Sequence, residues 1–331
     1  MKKPSTWYAQ RGSKRALIAA LSSCALLLGA CSTNTAENSS KQQESTAAEA
    51  GENVASLGLG DVDTLLALGI TPSVFAAWVE DSDSPNGLGP WAADDLPKDK
   101  KPEVLYGTGT GFTSEHLQKI AAAEPNTIVA VNAQVDEDTK AKLEAIAPVT
   151  YHDKQYKDWQ VPWRSQVESV AQAVDKKAEG KELIAKTEQS LKGFRDKHPE
   201  LAGKKVAIGL PYNGQLSLYT DADGRGALLE ELGFEVPEEF NERAQDNFYF
   251  ELSPENYDVL ESLDYLFILS YDNNEDELKK NPVYANLKLV QENRVFFIEK
   301  QLGNAMSTPN PLSIPWSVEK LDALLAQNTT S

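Results

Sequence analysis

Six aromatic side chains and one arginine carry the most concentrated chemistry in this sequence: Trp78, Trp91, Tyr106, Tyr151, Tyr212, Tyr271 and Arg225. Most stand at the ends of segments that read as strands. Aromatic faces give large apolar contact with few rotamers to freeze, and a guanidinium can make charge-assisted bonds to oxygen atoms. Any one of these rings could simply pack against its own lobe, but together they describe a cleft for an oxygen-rich ligand. Signatures of catalysis are missing. There is no G-x-S-x-G elbow, Walker loop or H-E-x-x-H, and Gly107-Thr108-Gly109-Thr110-Gly111 lacks the spacing of a dinucleotide fingerprint. That stretch reads as a loop that lets something approach the backbone closely. Carboxylate pairs such as Asp94-Asp95 and Glu238-Glu239 are what 50 acids produce by chance, and none is given a catalytic role. His116, His152 and His198 lack the spacing of a metal cluster. The expectation is a binding protein, not an enzyme, with no cofactor and no metal site of its own; a hydrolase with an unrecognised carboxylate site is the rival.

Two runs of alternating short strands and helices must position these residues. In the first, strands are expected at 54–58, 73–78, 103–106, 127–131 and 148–151, with helices at 61–68, 114–123 and 138–146. Such alternation makes a parallel α/β lobe. The pattern restarts with strands at 205–210, 216–219, 265–270 and 294–298 and helices at 224–232 and 255–261. Ligands of open α/β sheets collect beyond the carboxyl ends of the strands, where most of the aromatics lie.

Residues 162–197 separate the two runs and read as one long helix. Trp163, Val167, Val170, Val174, Leu183, Thr187, Leu191 and Phe194 form an apolar stripe, Pro162 suits a first helical position, and His198-Pro199 ends the segment. Unbroken, it is a rod of about 50 Å. Gly180 is its weak point, and the alternative is a helical hairpin turning at Glu179-Gly180-Lys181.

The chain's 331 residues suit two domains, and its net charge is −18. Five Lys/Arg and no acid fall in the first 31 residues, so the remainder holds 27 Lys/Arg against 50 acids, a net −23. That balance argues against nucleic acid or an anionic membrane surface as a direct partner. Lys2, Lys3, Arg11, Lys14 and Arg15 precede the apolar run 16–28, the layout of a secretory signal. Leu28-Gly29-Ala30-Cys31 resembles the lipobox of bacterial lipoproteins, which makes Cys31 the lipidated first residue of the mature chain. Residues 32–52 have the composition of a flexible tether. Cys24 lies in the leader, so no disulfide is expected.

Longer stretches resemble the iron-siderophore and cobalamin substrate-binding proteins of ABC importers. Gly60-Asp61-Val62-Asp63-Thr64-Leu65-Leu66-Ala67-Leu68-Gly69-Ile70-Thr71-Pro72 is similar to their opening, Pro125-Asn126 and Pro148-Val149 to their steps into strands, and Ser307-Thr308-Pro309-Asn310-Pro311-Leu312 to their C-terminal motif. The likeness runs from about residue 53 to 326. It departs at Asn126, where the family usually has aspartate, and at Gln118, where it often has glutamate. The resemblance implies two Rossmann-like α/β lobes joined by one rigid helix: 53–161, 162–198 and 199–331, after a signal at 1–31 and a tether at 32–52. It implies a monomeric receptor on the outer face of the cytoplasmic membrane, lipid-anchored, that captures a ferric siderophore and delivers it to an ABC permease. Haem or cobalamin is the alternative ligand, and a hydroxamate or mixed-type siderophore is favoured over a catecholate. The family docks through one acidic residue per lobe. Ser253-Pro254-Glu255 matches its motif in the second lobe, and Glu115 is expected to substitute for Gln118 in the first.

Overall fold

Short apolar runs become short buried strands, and the helices between them cover both faces of each sheet. The computed structural model describes residues 53–78, 84, 86–245, 247–271 and 273–328. The expected signal, tether and Cys31 lie outside the described residues. In the first lobe the order is β1 (Val54–Ser56), α1 (Asp61–Ala67), β2 (Val74–Ala76), β3 (Glu103–Leu105), α2 (Ser114–Ala122), β4 (Thr127–Ala130), α3 (Glu137–Glu144) and β5 (Val149–Tyr151). The strands form one parallel sheet, β3-β2-β1-β4-β5. Its central strand is buried on both faces, as a parallel strand covered by helices should be. Ile120 of α2 and Leu143 of α3 pack on one face, and Leu65 of α1 on the other. Strand order reverses between β1 and β4, and the crevice beyond that point is where such sheets bind ligands.

Two helices, not one, follow the first lobe: α4 (Trp163–Ala173) and α5 (Lys177–Lys197). The expected rod is broken at residues 174–176. Asp175 is left-handed (φ 55°), its N–H donates to the carbonyl of Gln172, and the N–H of Lys176 donates to that of Ala171 at 2.7 Å. This is a Schellman stop with aspartate in the place glycine usually takes, a substitution that a short polar side chain tolerates. Gly180, the expected weak point, lies inside α5. A Cβ built on it would sit 2.5 Å from the Ala171 Cβ, so this glycine lets α5 fold back closely against α4. Gly180→Ala should therefore destabilise the protein by about 1–3 kcal/mol through overpacking, where helix propensity alone promises a gain of about 1 kcal/mol. Urea unfolding of the variant checks this; a gain would contradict the close crossing.

The second lobe contains β6 (Val206–Tyr212), β7 (Gln215–Tyr219), α6 (Gly224–Glu231), α7 (Glu238–Ala244), β8 (Tyr249–Leu252) and the tight helical segment Pro254–Ser262. It continues with β9 (Tyr265–Ser270), α8 (Glu275–Lys280), α9 (Pro282–Ala285), α10 (Lys288–Gln291), β10 (Val295–Glu299), α11 (Lys300–Ser307) and α12 (Ser313–Asn328). The sheet order is β10-β9-β6-β7-β8. It is mixed: β7 runs antiparallel to β6 and β8. Asn213 (φ 50°) and Gly214 (φ 75°) are both left-handed, the two-residue turn that matches strand twist in a hairpin. Among the described residues no helix is long and apolar enough to cross a membrane.

The α4–α5 pair joins the lobes. Val170 and Ala171 of α4 pack with Val54 and Val129 of the first sheet, while Trp163 and Val167 share a core with Leu191 and Phe194 of α5 and Phe267 of the second sheet. Arg164 fastens the arrangement, with Nε donating to Glu188 Oε1 of α5 at 2.7 Å and Nη2 to Glu231 Oε2 of α6 at 3.2 Å.

Candidate ligand-binding cleft

At the strand-order reversal of the first lobe, buried polar groups tie three segments together. Asp61, at the start of α1, is fully buried; its Oδ2 accepts from the Val131 N–H at 2.8 Å and its Oδ1 from Gln166 Nε2 of α4 at 2.6 Å. Gln166 Nε2 and Asn132 Nδ2 also reach the Leu59 carbonyl, at 2.7 and 3.2 Å. Burial pushes the Asp61 carboxyl up to about 6 against the pull of these hydrogen bonds. From the second lobe arrives the turn after α11. Asn310 Oδ1 accepts from the N–H groups of Leu312 and Ser313, and Asn310 Nδ2 and Ser313 Oγ both donate to the Thr308 carbonyl. This self-tied turn sets Thr308 against the first lobe, which gives the Ser307–Leu312 motif a structural role.

Above this floor lies a cavity of about 680 Å³ between the lobes. Asn132, Trp159, Trp163 and Gln166 line one side, the loop and helix from Asp221 to Glu231 the other, and Thr308 an end. Trp163 Nε1 and Asn132 Oδ1 are buried with no hydrogen-bond partner in the protein. Both atoms are closed off from solvent, so neither opens into the cavity as it stands; the cavity itself is large enough for a drug-sized ligand. Trp159 is held left-handed at φ 60°, a conformation rare for a bulky residue and found where surrounding structure fixes a functional side chain.

The seven expected ligand residues divide. Arg225 is 6 % exposed and already engaged. Its Nη1 donates to both Asp223 oxygens at 3.0 Å, its Nε to the Gly303 carbonyl at 3.1 Å, and its guanidinium lies 4.5 Å from the Tyr219 ring centre. Burial raises the Asp223 carboxyl above its ordinary value, and the Arg225 charge opposes that rise. Half-buried Tyr271 stands nearby, its hydroxyl 3.5 Å from Asn304 Oδ1. Trp78 is 41 % exposed beside a narrow neck that reaches Thr308. Trp91 lines the same neck but is buried in the core: Nε1 donates to Asp63 Oδ1 at 2.7 Å, and its ring meets Trp316. Burial pushes Asp63 to about 6. Tyr106 projects beyond β3, 39 % exposed. Tyr212, 65 % exposed, borders a separate polar pocket on the hairpin, and Tyr151 packs beside α2 and α3 with its hydroxyl buried and unpartnered. None of the seven lines the interlobe cavity.

Trp159, Asn132 and Tyr219 were not among the expected ligand residues. Tyr219 ends β7 and meets the same strand-end criterion as Tyr106. Glu115 and Glu255 are both exposed, each in the first turn of its helical segment; Glu115 lies 3.5 Å from Lys119 of its own helix. The histidines are structural: His116 closes a capping box with Thr113, His152 meets Asp158, and His198 meets Asp322. Among the described residues no cluster of three His, Cys, Asp or Glu side chains is placed to hold a metal ion.

Residues 54–302 match the family model described as periplasmic binding protein. The Fe(3+)-citrate-binding protein YfmC of Bacillus subtilis is 25% identical over 305 residues, spanning 85% of this chain and 88% of its own. The solved structure of PiaA from Streptococcus pneumoniae in complex with ferrichrome is 27% identical, with a TM-score of 0.69 over 84% of this chain and 93% of that one. A periplasmic solute binding protein from Mycobacterium smegmatis is 31% identical, with a TM-score of 0.71 over 83% and 92%.

Proposed function

Because the chain belongs to the periplasmic binding protein family, we propose that its interlobe cleft captures a ferric siderophore and that the loaded protein delivers it to the permease of an ABC importer. It is a substrate-binding protein that works outside the cytoplasm, not an enzyme. The observation that carries the ligand reading is the 680 Å³ cavity between the lobes, lined by the rings of Trp159 and Trp163 and the amides of Asn132, Gln160 and Gln166. The relatives named for ferric citrate and ferrichrome support it. A siderophore brings iron already coordinated, so a cleft of rings and amides suffices.

Delivery is assigned to Glu115 and Glu255. Each sits at a helix start beyond a strand end of its own lobe, and the backbone N–H of Glu255 together with the Ser253 side chain holds the Glu255 carboxylate below its ordinary range. Glu115→Ala, Glu255→Ala and the double variant should titrate ligand like the parent while cellular iron uptake falls, most in the double variant. Normal uptake by the double variant would reject docking through these two carboxylates. The membrane anchor belongs to the same reading: Cys31→Ala should leave the protein unprocessed or released, and a processed variant still wholly membrane-bound would refute lipidation there.

A further inference from the structure

Resting on the reading of this cleft as a siderophore site, we infer that it selects ferric complexes of neutral or positive charge, such as trihydroxamates, and rejects anionic catecholate and citrate complexes. Among the described residues the cavity lining contains Asp221, Asp223, Glu230 and Glu231 and no lysine, arginine or histidine. Two arginines approach it, and each is already paired with a carboxylate. Arg225 is clamped by both Asp223 oxygens and the Gly303 carbonyl, and Arg164 is shared between Glu188 and Glu231. Two lining carboxylates remain without a cation bonded to them in this network. Asp221 accepts from the Asn241 amide at 3.0 Å, and Glu230 is pushed upward by burial and by the charges of Asp221, Glu238 and Glu231. The nearby neck adds the buried carboxyl of Asp63.

Iron(III) bound by three hydroxamates is neutral overall, whereas three catecholates leave it triply negative and citrate complexes retain carboxylate charge. An anionic complex would meet this wall at short range, with Asp221 and Glu230 exposed and Glu231 half-buried, and be repelled by their like charge. It could share Arg225 only through N–H groups that Asp223 and the Gly303 carbonyl do not take, and the Asp223 charge beside them would still oppose it. A neutral complex faces neither repulsion. It can stack its apolar parts on Trp159 and meet the lining amide of Gln160.

The test is a fluorescence titration of the purified protein, at one ionic strength, with ferrichrome (neutral), ferrioxamine B (cationic), ferric enterobactin (a triply negative tris-catecholate) and ferric citrate. The first two should bind at least about a hundred-fold more tightly than the last two. In Asp221→Asn/Glu230→Gln that ratio should narrow by about ten-fold. An anionic complex binding as tightly as ferrichrome, or an unchanged ratio in the double variant, would overturn the charge selection and leave the siderophore reading standing. Saturation by none of the four would overturn the siderophore reading and this inference with it.

Discussion

Arg225→Ala is expected to cost the fold about 3–5 kcal/mol, the range found when one partner of a buried ion pair is removed. The side chains of Arg225 and Asp223 are 8 % and 12 % exposed, and the variant leaves the carboxylate with no cation, the Gly303 carbonyl without its guanidinium donor, and the Tyr219 face uncovered. Replacing the pair together separates charge from geometry. In Arg225→Leu/Asp223→Asn the amide still caps α6 as the Asp223 side chain does, so most of the lost stability should return. Ligand affinity should not, because the wall that Asp223 contributes to the cavity is rebuilt without its ion pair. Urea unfolding of the three proteins decides the matter: an Arg225→Ala variant within about 1 kcal/mol of the parent would show that the clamp is not part of the fold's stability.

The second large effect is a dependence on pH set by Asp61 and Asp63. Both carboxyls stand at about 6 in the folded protein against an ordinary 3.8, chiefly because burial disfavours their charged forms. The folded state therefore binds these protons more tightly than the unfolded state. The stabilisation is fully present below pH 3.8 and is lost as pH rises through 6. From pH 4.5 to 7.5 the pair should cost the protein about 3–4 kcal/mol of unfolding free energy, on top of a background set by its other acids. Asp63→Asn keeps an acceptor for Trp91 Nε1 while removing one titration, so its stability should fall by about half as much over that interval once the background is subtracted. An identical pH profile for parent and variant would mean that Asp63 stays charged when buried.

Much of this architecture could be read from residue order. Val54-Ala55-Ser56 and Thr127-Ile128-Val129-Ala130 are short, apolar and bounded by turn residues, and each became a strand of a parallel sheet within a residue or two of expectation. What escaped was decided by single backbone conformations. Asp175 stops α4 in a conformation usually given to glycine, and the apolar stripe is compatible with helix on both sides of the break. Gly180 misled for the opposite reason, since it is small for the sake of a helix crossing. Asn213-Gly214 is a legible hairpin signal, but the strands beside it had been read only as members of an alternating α/β series. At the site, the strand-end aromatics Trp78 and Tyr271 stand outside the cavity lining, whereas Trp159, which lines it, ends no strand and is placed by a left-handed backbone. Arg225 was expected as a ligand residue, and its commitment to Asp223 was not legible, because a pair two residues apart closes only through the turn that starts α6.

The claim that the interlobe cleft takes a ferric siderophore is tested most directly by equilibrium titration of the purified protein and its Trp159→Ala variant with ferrichrome and with the same siderophore free of iron. Saturable one-to-one quenching of the parent by the ferric form is expected, with a dissociation constant of about 1 μM or tighter, weaker binding of the iron-free form, and at least a ten-fold loss in Trp159→Ala. Failure of the ferric form to saturate the parent, or equal affinity in parent and variant, would contradict the placement of a ferric siderophore in this cleft.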